Sequence, residues 1–279
     1  MGSDEMSTNK SNPELNMACY SLDDWYKGCM ASTESHLTAL IQNELSFSKQ
    51  YNEAWNQVLI LWQTNQSWLN PRNVTELSEV AIWAYTIESP PLHRAFNAAT
   101  CTAGKGPEEY GHYPFKSLHF LLTRTSRLRR PKNHKCAKVY RGVSVEFSVR
   151  NHFRFGQFTS TSLDQNMAKK FQSVTFFKLF TCKGIEISEM SIFEYEEEVL
   201  VPLYEIFNIT SIKDTSKGKM VVAKSMGTCS FHNCAFMGKG NTACPEHQGA
   251  WGYGEHYFSG VNGCRAFLQD FLFIVHFFT

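Results

Sequence analysis

The stretch Pro131-Lys132-Asn133-His134-Lys135-Cys136-Ala137-Lys138-Val139-Tyr140-Arg141-Gly142-Val143 is where the hydrophobic period of this chain changes. Before it, apolar residues recur at helical spacing. From Glu34 to Gln63 they are Leu37, Leu40, Ile41, Leu45, Tyr51, Trp55, Val58, Leu59 and Trp62. Asn70-Pro71 breaks that pattern, and Thr75 is the expected cap of a further helix carrying Leu77, Val80, Ala81, Ala84 and Tyr85. Pro90-Pro91 ends it; Pro91 and Pro114 each open another. His119, on the apolar side of the last, reads as a packing histidine rather than a ligand.

After Pro131 the segments are short, rich in Val, Ile and aromatics, and bounded by turn residues. They are Lys138 to Val143, Val174 to Thr181, Glu198 to Val201, Tyr204 to Ile209 and Lys219 to Ala223, with one helix, Asp164 to Gln172, between strands. Helices first and strands later predict an α+β fold, not an alternating parallel sheet. Residues 1–20 read as a flexible segment. Residues 21–236 read as one domain, mainly helical over 21–136 and β-rich over 137–236. Residues 237–279 read as a Gly-rich loop and an apolar tail.

The 279 residues suffice for a sizeable core, and 43% hydrophobic against 19% charged residues is globular composition. A net charge of +1 supplies no field for nucleic acid or anionic membrane. Four sequons, at Asn9, Asn65, Asn73 and Asn208, together with nine cysteines favour a secretory origin, although the first residues show no leader pattern. The apolar run after Cys264 is too short and too interrupted to span a bilayer; with Ser259-Gly260 upstream it reads either as a lipid-anchor signal or as a buried or frayed terminus. Gly238-Lys239-Gly240 is no dinucleotide fingerprint, and Cys229, His232, Cys234, Cys244 and His247 fit no standard zinc spacing.

Three segments carry chemistry. Arg141, inside a β-branched and aromatic strand, needs an anionic partner, either a structural carboxylate or a phosphate held by two hydrogen bonds. Gly142 beside it lets a ligand approach the backbone. Phe155-Gly156-Gln157-Phe158-Thr159-Ser160-Thr161-Ser162-Leu163 reads either as an edge strand or as a strand of alternating aromatic and hydroxyl residues that offers one polar face to a ribose. In Glu194-Tyr195-Glu196-Glu197-Glu198-Val199-Leu200-Val201-Pro202, strand alternation puts Glu196 and Glu198 on one side, a repulsion best tolerated around a cationic ligand.

Taken together, these segments resemble the arginine–serine–glutamate signature of the vertebrate arginine-specific mono-ADP-ribosyltransferases, relatives of cholera-type toxins. The resemblance runs from Ser21-Leu-Asp-Asp-Trp-Tyr-Lys-Gly-Cys29 to Phe231-His-Asn-Cys234. It includes His112-Tyr-Pro-Phe-Lys-Ser-Leu-His119 and Arg154-Phe-Gly-Gln-Phe158. It implies a helical N-terminal part with a C-terminal sandwich of two small β-sheets, NAD as co-substrate without metal, and arginine-bearing proteins as acceptors. It also implies an extracellular or cell-surface setting; the lipid anchor stays open between the two readings of the tail, and a monomer is expected. By resemblance, Glu198 holds the nicotinamide ribose, Glu196 the acceptor guanidinium, Arg141 NAD phosphate or ribose, Gly142 the nicotinamide amide and Ser160 the ribose. Phe171 stacks on nicotinamide. Cys29 pairs with Cys234 and Cys136 with Cys182, which leaves Cys19, Cys101, Cys229, Cys244 and Cys264, an odd number. The family usually has a proline near Glu194; here Phe193-Glu194-Tyr195 stands. Mainly hydrolysing NAD, or serving as a surface recognition module on the same fold, are the competing readings.

Overall fold

The helical stripe does not run on as one rod. A computed structural model describes residues 12–65, 70–71, 73–129, 136–170, 174–191, 194–216, 218–238 and 264. In it the stripe divides at Ser48 into α1 (Met30–Phe47) and α2 (Lys49–Asn65). Helix α3 (Val74–Thr86) is capped two residues earlier than expected: Asn73, not Thr75, accepts from the amides of Thr75 and Glu76. Then follow α4 (Leu92–Ala103), α5 (Pro107–His112) and α6 (Lys116–Leu128). Nothing in the apolar pattern announces the short α5, which buries no residue. The start of α6 is capped from a distance, since the buried Glu44 accepts from the amides of Lys116 and Ser117.

The strands form one ladder in two parts. On one side are β2 (Ala137–Val143), β4 (His152–Phe153), β6 (Thr175–Thr181), β9 (Glu205–Thr215) and β10 (Gly218–Thr228), in the order β4-β9-β10-β6-β2. On the other are β5 (Thr159–Ser162), β7 (Ile185–Glu186) and β8 (Glu198–Val201), in the order β5-β8-β7. Only Tyr140 opposite Ser162 joins them. They are thus two small sheets meeting at one corner, and they share a core: Val199 and Val201 pack with Val139, Phe153, Phe177, Phe207 and Val221. Alternation turns Glu198 and Leu200 the other way, and Leu200 joins Phe158 in the helical core with Tyr85, Phe96 and Leu118. Strand β8 therefore lies between two cores. The short helix α7 (Gln165–Lys169) follows β5 and is capped by Asp164, as the spacing predicts.

The described part of the segment expected to be flexible is packed. The strand β1 (Glu14–Leu15) pairs in parallel with β3 (Ser148–Val149), and Leu15, Met17 and Ala18 are buried. The polar residues around them hide this, because the partners lie more than a hundred positions away. Gly156 is the adapter: its φ of +69° lies in the left-handed region, and a Cβ there would meet Ala18 Cβ at 2.5 Å and Cys264 Sγ at 3.1 Å.

Cys29 and Cys234 form a disulfide across 205 positions, with Cα atoms 6.0 Å apart, and Cys136 and Cys182 form another. A third, unforeseen, joins Cys101 to Cys264. Cys229 is oxidised as well, and Cys19 is a free thiol. His119 is a satisfied core histidine, between the Tyr26 hydroxyl at 2.9 Å and the Leu22 carbonyl at 2.9 Å. Among the described residues no helix is long and apolar enough to cross a membrane.

Candidate active site

Three strands and one turn bring the expected residues together. Arg141 sits in β2 and is almost wholly buried. Its Nη1 donates to the main-chain oxygen of Ser160 at 2.7 Å. The bond spans the gap between β2 and β5, where the ladder narrows to a single residue pair. Gly142 is the next residue of the same strand, opposite Phe176 of β6. Ser160 pairs with Leu200 across β5 and β8, and Ser162 with Glu198. By alternation Phe158, Ser160, Glu198 and Leu200 share the face turned towards the helices.

Glu196 does not reach the site by strand alternation. It ends a 3-10 turn (Glu194–Glu196), and the strand begins only at Glu198. Glu197 between them has φ +46°, the left-handed region, and its side chain is exposed. This one residue reverses the chain, so that Glu196 and Glu198 are both buried. Strand alternation predicts Glu196 and Glu198 on one side; instead a turn, not a pleat, leaves both buried and Glu197 exposed. Tyr195, 53% exposed, stands next to them at the surface. Phe171 lies outside the described residues.

The electrostatics follow from burial. Burial pushes the Glu198 carboxyl up to about 7, against the opposing influence of Ser160, Ser191 and Arg141. Ser191 reaches Oε2 of Glu198 at 3.5 Å. Oε1 of Glu198 and Oγ of Ser160 have no hydrogen-bond partner within bonding geometry, although Ser160 lies close enough to favour the charged form of Glu198. Such orphaned polar atoms in a buried site fit a polyhydroxylated, phosphorylated ligand such as NAD. Among the described residues no three His, Cys, Asp or Glu side chains gather as a metal site.

The helical part adds residues of which sequence reading named only Tyr85, as part of an apolar helical stripe. Tyr85 of α3 and Asn97 of α4 stand behind β5, and the Tyr85 hydroxyl donates to the Phe158 carbonyl at 2.8 Å. His93 of α4 lies near Arg141; burial, then the charges of Arg94 and Arg141, push it down to about 3, so it is neutral. Both Tyr85 and His93 sit on buried helical faces, where spacing cannot separate a packing aromatic from one aimed at a site.

Fold and site together define the class: an α+β domain with a buried arginine, serine and glutamate on adjoining strands and a second buried glutamate on the turn before the last of them. The family model for NAD:arginine ADP-ribosyltransferases matches residues 15–230. Ecto-ADP-ribosyltransferase 5 of Bos taurus is 37% identical over 236 residues, covering 81% of this chain and 75% of its own. The GPI-linked NAD(P)(+)–arginine ADP-ribosyltransferase 1 of Mus musculus is 36% identical, covering 80% and 73%. A variant of the eukaryotic mono-ADP-ribosyltransferase ART2.2 in complex with NADH superposes with a TM-score of 0.69 at 27% identity, covering 80% of this chain and 99% of that one. The chain belongs to the NAD:arginine ADP-ribosyltransferase family.

Proposed function

We propose that this chain, an NAD:arginine ADP-ribosyltransferase by family, transfers ADP-ribose from NAD to arginine side chains of proteins in the pocket formed by Arg141, Ser160, Glu196 and Glu198. The observation that carries this reading is a buried Glu198 with one unpartnered oxygen, beside Ser160 and Arg141. In the reaction the ribose C1–nicotinamide nitrogen bond breaks and its electron pair stays on the neutral nicotinamide ring. A C1–nitrogen bond to the arginine forms, and the arginine gives up a proton. Ionised Glu198 holds the ribose hydroxyl and opposes the positive charge that develops on the ribose, as a carboxylate does in glycoside hydrolysis. Arg141 and Ser160 hold NAD phosphate or ribose, and the Gly142 backbone holds the nicotinamide amide. Glu196 clamps the acceptor guanidinium and takes its proton, a necessary step because a protonated guanidinium with pKa above ~12 is no nucleophile.

The protein acts outside the cell or at its surface. Its disulfides and sequons support this setting, as do relatives named ecto- and GPI-linked enzymes. A lipid anchor agrees with the mouse relative's name, while the residues that would signal it, 265–279, lie outside the described ones. One chain supplies every residue assigned here, so a monomer suffices. Incubation with labelled NAD and a free arginine analogue tests the reading. Label on the analogue is expected; free ADP-ribose alone would make the chain an NAD glycohydrolase, and intact NAD would remove the activity.

A further inference from the structure

Strand β5 and the residue before it are held at two carbonyls. The Ser160 carbonyl takes the Arg141 guanidinium at 2.7 Å. The Phe158 carbonyl, two residues upstream on the same face, takes the Tyr85 hydroxyl at 2.8 Å and the Asn97 amide at 3.3 Å. That amide also donates to the Tyr85 oxygen at 3.2 Å, which closes a small triangle. All three residues are fully or almost fully buried. The Phe158 ring is fixed as well, stacked on Phe96 and edge-on to Tyr85 and His119.

The triangle lies close to the chemistry. Tyr85 is within electrostatic reach of Glu198 and Arg141, and its hydroxyl lies close enough to the Ser160 side chain to favour the phenolate against burial. Burial keeps its phenol protonated, so it remains a donor across the working pH range. β5 has four residues and meets β2 at one pair only, so its own ladder leaves it weakly anchored on that side.

We infer that Tyr85 and Asn97 are positioning residues for the transfer reaction, reaching from the helical part to the Phe158 carbonyl to set Ser160 against Glu198. The inference rests on the pocket assignment above. A group that acts this way touches no substrate. Its loss should lower the rate of the glycosidic step with little change in NAD binding, because small misplacements at a reacting centre have large rate effects.

Tyr85→Phe tests it, with Tyr51→Phe as comparator. Tyr51 is equally buried, and its hydroxyl bonds Ser117 within the helical part at 2.9 Å. Nicotinamide release counts transfer and hydrolysis together, so acceptor preference does not enter. Expected for Tyr85→Phe is a fall in kcat of about tenfold or more with KM for NAD within about threefold. The two variants should lose similar amounts of thermal stability, with kcat of Tyr51→Phe near wild type. An unchanged kcat in Tyr85→Phe, or an equal fall in both variants, would overturn the inference. If Tyr85→Phe does not fold, Asn97→Asp carries the same test, since it keeps shape but loses the donor to Phe158. A wild-type chain that releases no nicotinamide refutes the pocket assignment instead.

Discussion

Ser162 and Glu196 are tied by a hydrogen bond: the serine hydroxyl donates to the glutamate's main-chain oxygen at 2.7 Å. The same serine stands opposite Glu198 in the ladder. One residue of β5 therefore fixes the backbone on both sides of Glu197, the position with positive φ. The Leu163 amide, donating to the Glu197 carbonyl at 3.1 Å, completes the clamp. The turn that carries Glu196 is thus held by the strand that carries Ser160.

Ser162→Ala should loosen that turn without touching substrate. The hydroxyl also accepts from the Asp164 amide at 3.0 Å, so two hydrogen bonds are lost, which weakens the local structure by about 1–2 kcal/mol. Arginine transfer should fall about tenfold while NAD hydrolysis stays within about threefold, because only Glu196 is displaced. Paired assays with and without an arginine analogue check this. Equal losses would mean that the clamp serves Glu198 instead.

Glu198→Gln should abolish both transfer and hydrolysis in a folded protein. The amide keeps the shape and loses the charge, an effect of about 3 kcal/mol or more on the barrier. Only the ionised form works, so wild-type kcat/KM for NAD should fall about tenfold per pH unit below the value near 7 to which burial raises this group. Stability has the opposite sign. The folded state binds the proton more tightly than a chain with the ordinary value of 4.5. The group therefore costs stability as pH rises from there to about 7, and in full above it. Glu198→Gln should melt higher than wild type at pH 8, by on the order of 2 kcal/mol, and equally at pH 4. A variant with near-normal turnover would remove Glu198 from the mechanism.

Glu196→Gln should separate the two activities. Water needs no guanidinium clamp, so hydrolysis of NAD should persist while arginine labelling falls by about a hundredfold or more. Measuring label transfer and free ADP-ribose in one reaction decides it; a parallel loss would show that both carboxylates serve the ribose.

The legible and illegible parts of this site differ in physical kind. Arg141 was legible because a cation in an apolar strand is costly and needs a reason. Glu196 and Glu198 were legible for the same reason, as acids running into a core strand. The turn at Glu197 was not, since a positive φ on a glutamate leaves no mark in composition. Tyr85, His93 and Asn97 were hidden among core residues of α3 and α4, where a polar tip on a buried face looks like packing. The helix-then-strand order was legible from period alone. The single-pair joint between β2 and β5 was not, because register across a corner depends on tertiary contacts.

The last case of this kind is Asp23 with Arg154, 131 positions apart and both fully buried. The sequence shows each only as part of a familiar block, Ser21 to Cys29 and Arg154 to Phe158. In the fold they are one ion pair, 2.5 Å between Arg154 Nη1 and Asp23 Oδ2. Arg154 also donates to the carbonyls of Met17 and Cys229, while Asp23 accepts from the amides of Phe231 and His232 and from the His232 ring at 2.8 Å. The knot ties the N-terminal segment to the stretch that follows β10, beside the Cys29–Cys234 disulfide. Asp23→Asn leaves a buried guanidinium without its counter-charge and should destabilise by about 3–5 kcal/mol. Its pH dependence is distinctive. Burial works against the Asp23 charge, but Arg154 and then His232 hold Asp23 down at about 2, so its contribution is present above the ordinary 3.8 and is lost as pH falls through about 2. Burial likewise opposes the charge on His232, yet the hydrogen bond from its ring to Asp23 raises it above 6.5. That contribution is full below 6.5 and fades as pH rises through the raised value. Wild type should therefore lose stability between pH 6.5 and alkaline pH, a slope that Asp23→Asn and His232→Asn should both flatten. Denaturant titrations at pH 6 and pH 9 measure it. A slope of the same size in all three proteins would show that His232 stays neutral in the folded state and that Arg154 alone balances Asp23.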